Sequence, residues 1–350
     1  VFFSIAIRDS FTPPMKIATS PLLVVPALVL DEMLGEPQGW HPLAVFGREA
    51  EKIEDFFHPL AREANGNLAN KSNSTGNLAK RLRTNLAGLL AVSQCVVPPV
   101  VLLCRLRKQG RNIPLFCHLL DVIVLYACIA PSSLREHGMC VHEALVNGSL
   151  AEARTAVGRI VSRDTASLNE EGVAVAAVES LLENGSDAIF GALFWFALAG
   201  APGALFYRLV NTLDAMWGYR NERYSDFGWA AARLDDLLNF IPARLTAFTY
   251  ALCGDSEMSL HCLREQGRTW YSPNAGPVMA AGAGALNLSL GGDAVYGGKV
   301  KSRPVLGSGP RPCAEDIKRA VKLVKKSLKV WVCLSVLGGV LAIATRRQSR

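Results

Sequence analysis

Apolar residues in this chain are gathered into long runs: Ile17 to Leu30, Leu86 to Cys104, Leu115 to Pro131, Ala188 to Val210 and Val330 to Thr345, with a shorter Gly/Ala-rich run from Pro277 to Leu290. A helix crosses the hydrocarbon core with about 20 such residues and needs at least about 17. Leu86–Cys104 and Ala188–Val210 reach that length unaided. The others need flanking residues or a partly buried setting. Strand patterns are few and no period repeats. The pattern predicts an all-α, polytopic membrane protein with about four to five transmembrane helices plus amphipathic or half-buried ones.

Residues 314–329 form a predicted basic helix with Ile317, Ala320, Val321, Val324 and Leu328 on one face. It reads equally as a surface helix on anionic lipid leading into the last span or as an amphipathic core helix. Asn184-Gly185 and Pro242 are expected to stop or kink their helices. Residues 61–77 form a polar loop rich in Asn, Ser and Gly. The first fourteen residues look unlike anything downstream, whereas Met15-Lys16 before an apolar run looks like a start. The expected organisation is an extension at 1–14, one membrane domain at 15–345 and a basic tail at 346–350.

Charge sharpens this picture. Only 19% of residues are charged, against roughly a quarter in soluble domains. The net charge is +7, but the stretch from Lys299 onward carries +11, with thirteen Lys/Arg against Glu315 and Asp316. The basic excess is therefore C-terminal, and no nucleic-acid surface is expected. Arg105, Arg107, Lys108 and Arg111, and the closing Arg346, Arg347 and Arg350, read as cytoplasmic under the positive-inside rule. Counting crossings from the first group puts residues 132–187 on the opposite face. The nine cysteines form no C-x-x-C pair, which argues against a zinc or disulfide framework.

Three polar clusters interrupt or border the apolar helices, where ionisable groups are expensive and point to function. In the first, Glu179 and Glu183 are four residues apart and share a helix face, with Asp187 just beyond. Their repulsion calls for a cation such as magnesium, or for pairing with Arg163. In the second, Asn211, Asp214, Tyr219, Arg220 and Arg223 follow an apolar run. These arginines either hold phosphate or belong to an interfacial belt with Trp217 and Tyr224. In the third, Asp235, Asp236 and Asn239 lie at i,i+3 and i,i+4 spacing. That suits an oxygen-ligated divalent ion bound to substrate phosphates, with salt bridges to Arg233 or Arg244 as the competing reading. His41 and His142 are either acid–base groups or structural. Gly297-Gly298-Lys299 is not a phosphate loop, because Asp293 stands where the first glycine belongs and Val300 replaces the Ser/Thr.

Together the stretches LDEMLGEPQGWHPLAVFG, ARTAVGRIVSRDT, AAVESLLENGSD, LFWFALAGAPGALFYRLVNTLDAMWGYRNERY, FGWAAARLDDLLNFIPARLTA and SPNAGPVMAAGAGAL resemble the CobD/CbiB family of cobalamin biosynthesis. The resemblance implies a multi-pass protein of the inner cell membrane. It would join a corrin f-side propionate, in adenosylcobyric acid, to (R)-1-amino-2-propanol or its phosphate, consuming ATP with magnesium. Other late cobalamin-pathway membrane enzymes are implied as partners. Family motif positions here are Asp31, Glu36, His41, Arg163, Asp164, Glu179, Glu183, Asn184, Asp187, Asn211, Asp214, Arg220, Arg233, Asp235, Asp236, Asn239, Ser272 and Asn274. The expected metal ligands are Glu179, Glu183, Asp235, Asp236 and Asn239. Arg163, Arg220 and Arg233, with Asn211, Ser272 and Asn274, are expected on the nucleotide. Asp187, His41 and Asp164 form the expected catalytic set, the base being open between Asp187 and His41. Gly191-Ala192 replaces the family's usual Ala-Pro. Two other readings compete: a prenyltransferase with Asp-rich diphosphate helices, and a secondary transporter using Glu179 and Glu183 as a cation site.

Overall fold

A computed structural model of the chain describes residues 21–35, 42–66, 74–219 and 221–348. Within them the protein is mostly helical. Four helical stretches are long and apolar enough to cross a membrane: Leu78–Asn112, Pro114–Val146, Glu170–Trp217 and Ala314–Thr345. The N-terminal part holds α1 (Val24–Leu34), α2 (Pro42–Gly66), α3 (Ser74–Gln109), α4 (Pro114–Cys128), α5 (Pro131–Val146) and α6 (Leu150–Val157). Lipid-facing character is plain on α3 and α4, where Leu86, Leu89, Leu102, Leu115, Leu119 and Ile123 remain exposed.

The site-bearing half begins with α7 (Glu170–Gly185), capped by the Asn169 side chain on the Gly172 N–H. The expected stop at Asn184-Gly185 ends the α-helix but not the helical path. A π-turn at Ser186–Phe190 leads straight into α8 (Gly191–Trp217). Such single wide turns concentrate at functional sites. Gly185 is packed against the Tyr250 hydroxyl, which donates to Leu182 O at 2.9 Å.

The run Ala188–Val210, read above as one span, is not a single crossing. Gly200 adopts φ 67°, ψ −160° and breaks α8, a conformation open essentially only to glycine. The chain then doubles back: a side chain on Gly203 would strike the Trp195 carbonyl, and one on Gly191 would collide with the Tyr207 ring. In a straight helix residues 191 and 207 would lie about 24 Å apart, at 1.5 Å per residue. Residues 188–199 and 201–212 are therefore two arms of a helical hairpin whose ends meet on one side.

Helix α9 (Trp229–Cys253) packs against this hairpin and runs through Pro242 without stopping. Proline removes the N–H that would bond to Leu238 O; the Trp195 indole N–H supplies that bond instead, at 3.1 Å. The Leu237, Ile241, Phe248 and Leu252 face of α9 is exposed and apolar. The weak span candidate Pro277–Leu290 proves to be a core helix, α11 (Ala275–Leu286), buried at every position. It lies beside α9 and α10 (Ser256–Gln266), its small residues allowing close backbone approach. Two small antiparallel ribbons follow, β1 (Ser289–Gly291) with β4 (Val305–Gly307) and β2 (Ala294–Tyr296) with β3 (Lys299–Lys301). They add a minor β component to the expected all-α fold.

The last helix, α12 (Ala314–Gln348), is continuous and changes partner midway. Ile317, Ala320 and Val324 are buried against α5 and α7, so the first half takes the core reading rather than the lipid-surface one. Beyond residue 330, Leu334, Leu337, Val340 and Leu341 are exposed, as a lipid-embedded segment requires.

Candidate functional site

Glu179, on the buried face of α7, is 2% exposed. Arg163 pairs with one of its oxygens. Arg303 reaches the same oxygen at 3.0 Å and the other at 3.3 Å, and the Gly291 N–H donates at 2.7 Å. The repulsion expected between Glu179 and Glu183 is thus offset on the Glu179 side by two arginines, and its lone pairs are occupied. This knot ties α7 to the 289–307 ribbons.

One turn further on, the carboxylates of Glu183, Asp187 and Asp214 have no hydrogen bond or ion pair with another described side chain. Asp187 sits on the π-turn within electrostatic reach of Glu183, Asp214 and Asp235; Asp214 likewise feels Asp235, Asp236 and Glu183. Asp235, 8% exposed, is held on α9 by Asn211 Nδ2 at 3.1 Å and by Asn239 Nδ2 at 3.0 Å. The shared face of Asp235 and Asn239 is as the spacing predicts. Tyr207 Oη completes the web with contacts to Asp187 O (2.9 Å) and Asn239 Oδ1 (2.8 Å), its one proton serving either acceptor. Helix α9 lies outside the four span candidates. Burial there pushes the Asp235 carboxyl up to about 6, Asn211 and Asn239 pull it back, and Asp236 adds to the rise.

No three described His, Cys, Asp or Glu residues close on one point tightly enough to hold an ion alone. Magnesium does not ask for that: it keeps several waters and takes one or two carboxylates plus substrate phosphates. Hard oxygen donors from α7, the π-turn and α8 without hydrogen-bond partners among the described side chains, beside one from α9 that is held only by two amides, fit that demand. Glu183, Asp187, Asp214 and Asp235 would supply them.

The remaining expected residues divide between this site and the scaffold. Arg233 pairs with Asp236 at 3.1 Å. Asn274 donates to Asp236 O at 2.8 Å and accepts from Arg244 at 2.7 Å, while Ser272 Oγ accepts the Asn274 and Ala275 N–H groups. The Ser272–Asn274 turn is thereby docked onto α9 beside the acids. Asp164 instead accepts the Gly298 N–H at 2.8 Å, anchoring the β2–β3 ribbon. His142 is buried and bonds Ala314 O at 2.9 Å, a structural link from α5 to α12. Glu36, His41 and Arg220 lie outside the described residues. Two arginines escaped the sequence reading. Arg303 carried no local signal, since its partner is 124 positions away. Arg208 did carry one, being the single charged residue in the run Ala188–Val210.

A family model described as CobD/Cbib protein matches residues 24–324, a span that contains all the site residues just placed. The chain belongs to the CobD/CbiB family. Relatives agree over nearly their whole length. The cobalamin biosynthesis protein CobD of Chromobacterium violaceum is 50% identical over 322 residues, 92% of this chain and 97% of the relative. That of Stutzerimonas stutzeri is 50% identical over 318 residues, covering 91% and 97%. The Mycobacterium tuberculosis (strain H37Rv) protein of that name is 36% identical over 300 residues, covering 84% and 88%. No solved structure matches the chain. Like these relatives it is a CobD-type cobalamin biosynthesis protein, with its carboxylate cluster inside the region the family model matches.

Proposed function

We propose that this protein catalyses ATP-dependent amide formation between the f-side propionate of adenosylcobyric acid and (R)-1-amino-2-propanol or its phosphate. It would work as a multi-pass enzyme of the inner cell membrane, alongside other late cobalamin-pathway enzymes. The observation that carries the reading is the group Glu183, Asp187, Asp214 and Asp235: carboxylates gathered at a membrane-embedded hairpin with few or no protein donors, in a CobD/CbiB chain. Such groups are retained in an apolar setting when they serve a cation or a reaction.

A carboxylate is a poor acyl donor. In the proposed reaction the terminal phosphoryl group of ATP passes to the propionate, and the amine then displaces phosphate to leave the amide. Magnesium, when bound, would offset the charge of the phosphates. Glu183 and Asp235, supported by Asp236 and Asn239, are assigned to hold it. Glu179 is assigned to hold Arg163 and Arg303 in place, since its oxygens are already engaged. Asp187, facing the same space, is the candidate base for the attacking ammonium group. Asn274 and Ser272 shape the wall beside Asp236, and Arg233 offers a cation at the rim.

Detergent-purified protein supplied with adenosylcobyric acid, ATP, magnesium and each amine in turn should form the corrinoid amide, identified by mass. Glu183→Gln should lower the rate about 100-fold or more, the scale on which lost electrostatic stabilisation is felt. A wild-type protein that neither consumed ATP nor made amide would overturn the reading. Full activity in Glu183→Gln would remove that residue from it.

A further inference from the structure

Arg208 is the single charged residue in the apolar run Ala188–Val210 and is partly buried. It sits on the returning arm of the hairpin, eight residues past Gly200 and next to Tyr207. Its Nε is buried and has no hydrogen-bond partner among the described residues. The one side-chain hydrogen bond it makes among the described residues runs from Nη1 to Asn211 Oδ1, at a long 3.3 Å. Asp187 lies within its electrostatic reach, yet the two form no ion pair.

A counter-ion would behave differently, as this same molecule shows. Arg163 and Arg303 close directly on Glu179, and Arg233 closes on Asp236. Arg208 stands beside carboxylates and closes on none of those described, its Nε left unmet. A buried guanidinium donor left unpaired is costly, and its planar fork matches phosphate oxygens two at a time. Asn211 strengthens the link, because its amide nitrogen holds Asp235 while its oxygen holds Arg208. An anion on Arg208 would therefore lie next to the carboxylate assigned to the metal, the arrangement a metal-bridged phosphate needs.

We infer that Arg208 is a phosphate-binding residue of this site, gripping the phosphate chain of the nucleotide from the membrane side. This rests on the ATP-dependent reading above and adds Arg208 to the expected set of Arg163, Arg220 and Arg233, of which Arg163 and Arg233 are paired with Glu179 and Asp236.

The test uses full-length protein in detergent with magnesium present, measuring binding of the β,γ-imido analogue of ATP and, separately, of pyrophosphate. Arg208→Gln should weaken both at least ten-fold. Arg208→Lys, which keeps the charge but loses the fork, should fold like wild type. It should raise KM for ATP several-fold while leaving KM for the corrinoid unchanged, a split that a merely structural arginine would not produce. Equal analogue affinity in wild type and Arg208→Gln, or an unsplit pair of KM values in Arg208→Lys, would overturn the inference and leave the ATP reading standing. A wild-type protein that bound neither probe would bring down the ATP reading itself.

Discussion

Asp235 shows how burial and neighbours tune one carboxyl. Its value of about 6 lies above the ordinary 3.8, so the folded chain holds this proton more tightly than the unfolded one. The sign follows from linkage: this group's contribution to stability is largest at low pH and declines as pH rises from about 4 to about 6. Ion binding runs the other way, because a protonated carboxyl is a poor ligand. Stabilisation by magnesium, read as a shift in melting temperature, should be full at pH 7.5 and fade as pH falls through about 6. Glu179 gives the contrasting prediction. Arg303→Gln leaves a buried carboxylate short of a partner, a change that costs about 3–5 kcal/mol when such a pair is broken. It should lower the melting temperature while leaving magnesium affinity within about two-fold, since the ion is assigned to other acids. The sequence revealed the acids well, because carboxylates at helical spacing beside apolar runs stand out. It could not reveal which acid already had partners. Arg303 meets Glu179 only after the ribbons fold back over α7.

Spacing rules fixed helix faces correctly at Asp235/Asn239 and along Ile317–Val324, where neighbours three and four apart decide the pattern. They failed where a helix turned or held against expectation. Hydropathy averages over a window, so a reversal at one glycine inside Ala188–Val210 leaves the average high and the break invisible. Pro242, expected to end or kink its helix, does not end it, since the cost of its missing N–H is offset by an indole from another element. Trp195→Phe keeps the ring packing but removes the donor to Leu238 O. It should destabilise the protein by about 1–3 kcal/mol through the orphaned carbonyl, measured as an earlier thermal transition in detergent. Trp195→Phe in a Pro242→Ala background should lose much of that penalty, because residue 242 then bonds Leu238 O itself.

Among the described residues, contacts tie together the ends of helices that are far apart in the chain. Arg81, at the start of α3, pairs with Asp226 just before α9. Ala130 N bonds Ala188 O where α4 ends and the hairpin begins. Asp255, after α9, bonds Ala285 O at the end of α11. Reporter fusions at Ala151 and Gly254 should therefore report the same compartment, which the proposed use of ATP would make the cytoplasm. Opposite compartments for the two would break this arrangement. Basic residues lie at helix ends too, with Lys80, Arg81 and Arg83 entering α3 and Lys322, Lys325, Lys326 and Lys329 entering the last crossing. Arginine and lysine counts near the membrane are therefore nearly balanced between the two sides, so the cytoplasmic reading of Arg105–Arg111 and Arg346–Arg350 does not hold on this arrangement.

The bend at Gly200 also alters the parity of the chain's path. If residues 188–210 were a through-passage, the arginines after α3 and those at the very end would fall on opposite shores of the bilayer. Treated as a dip that surfaces where it entered, the same stretch adds nothing to the tally, and the two arginine groups come to share a shore. One left-handed glycine thus decides the address of every residue that follows it.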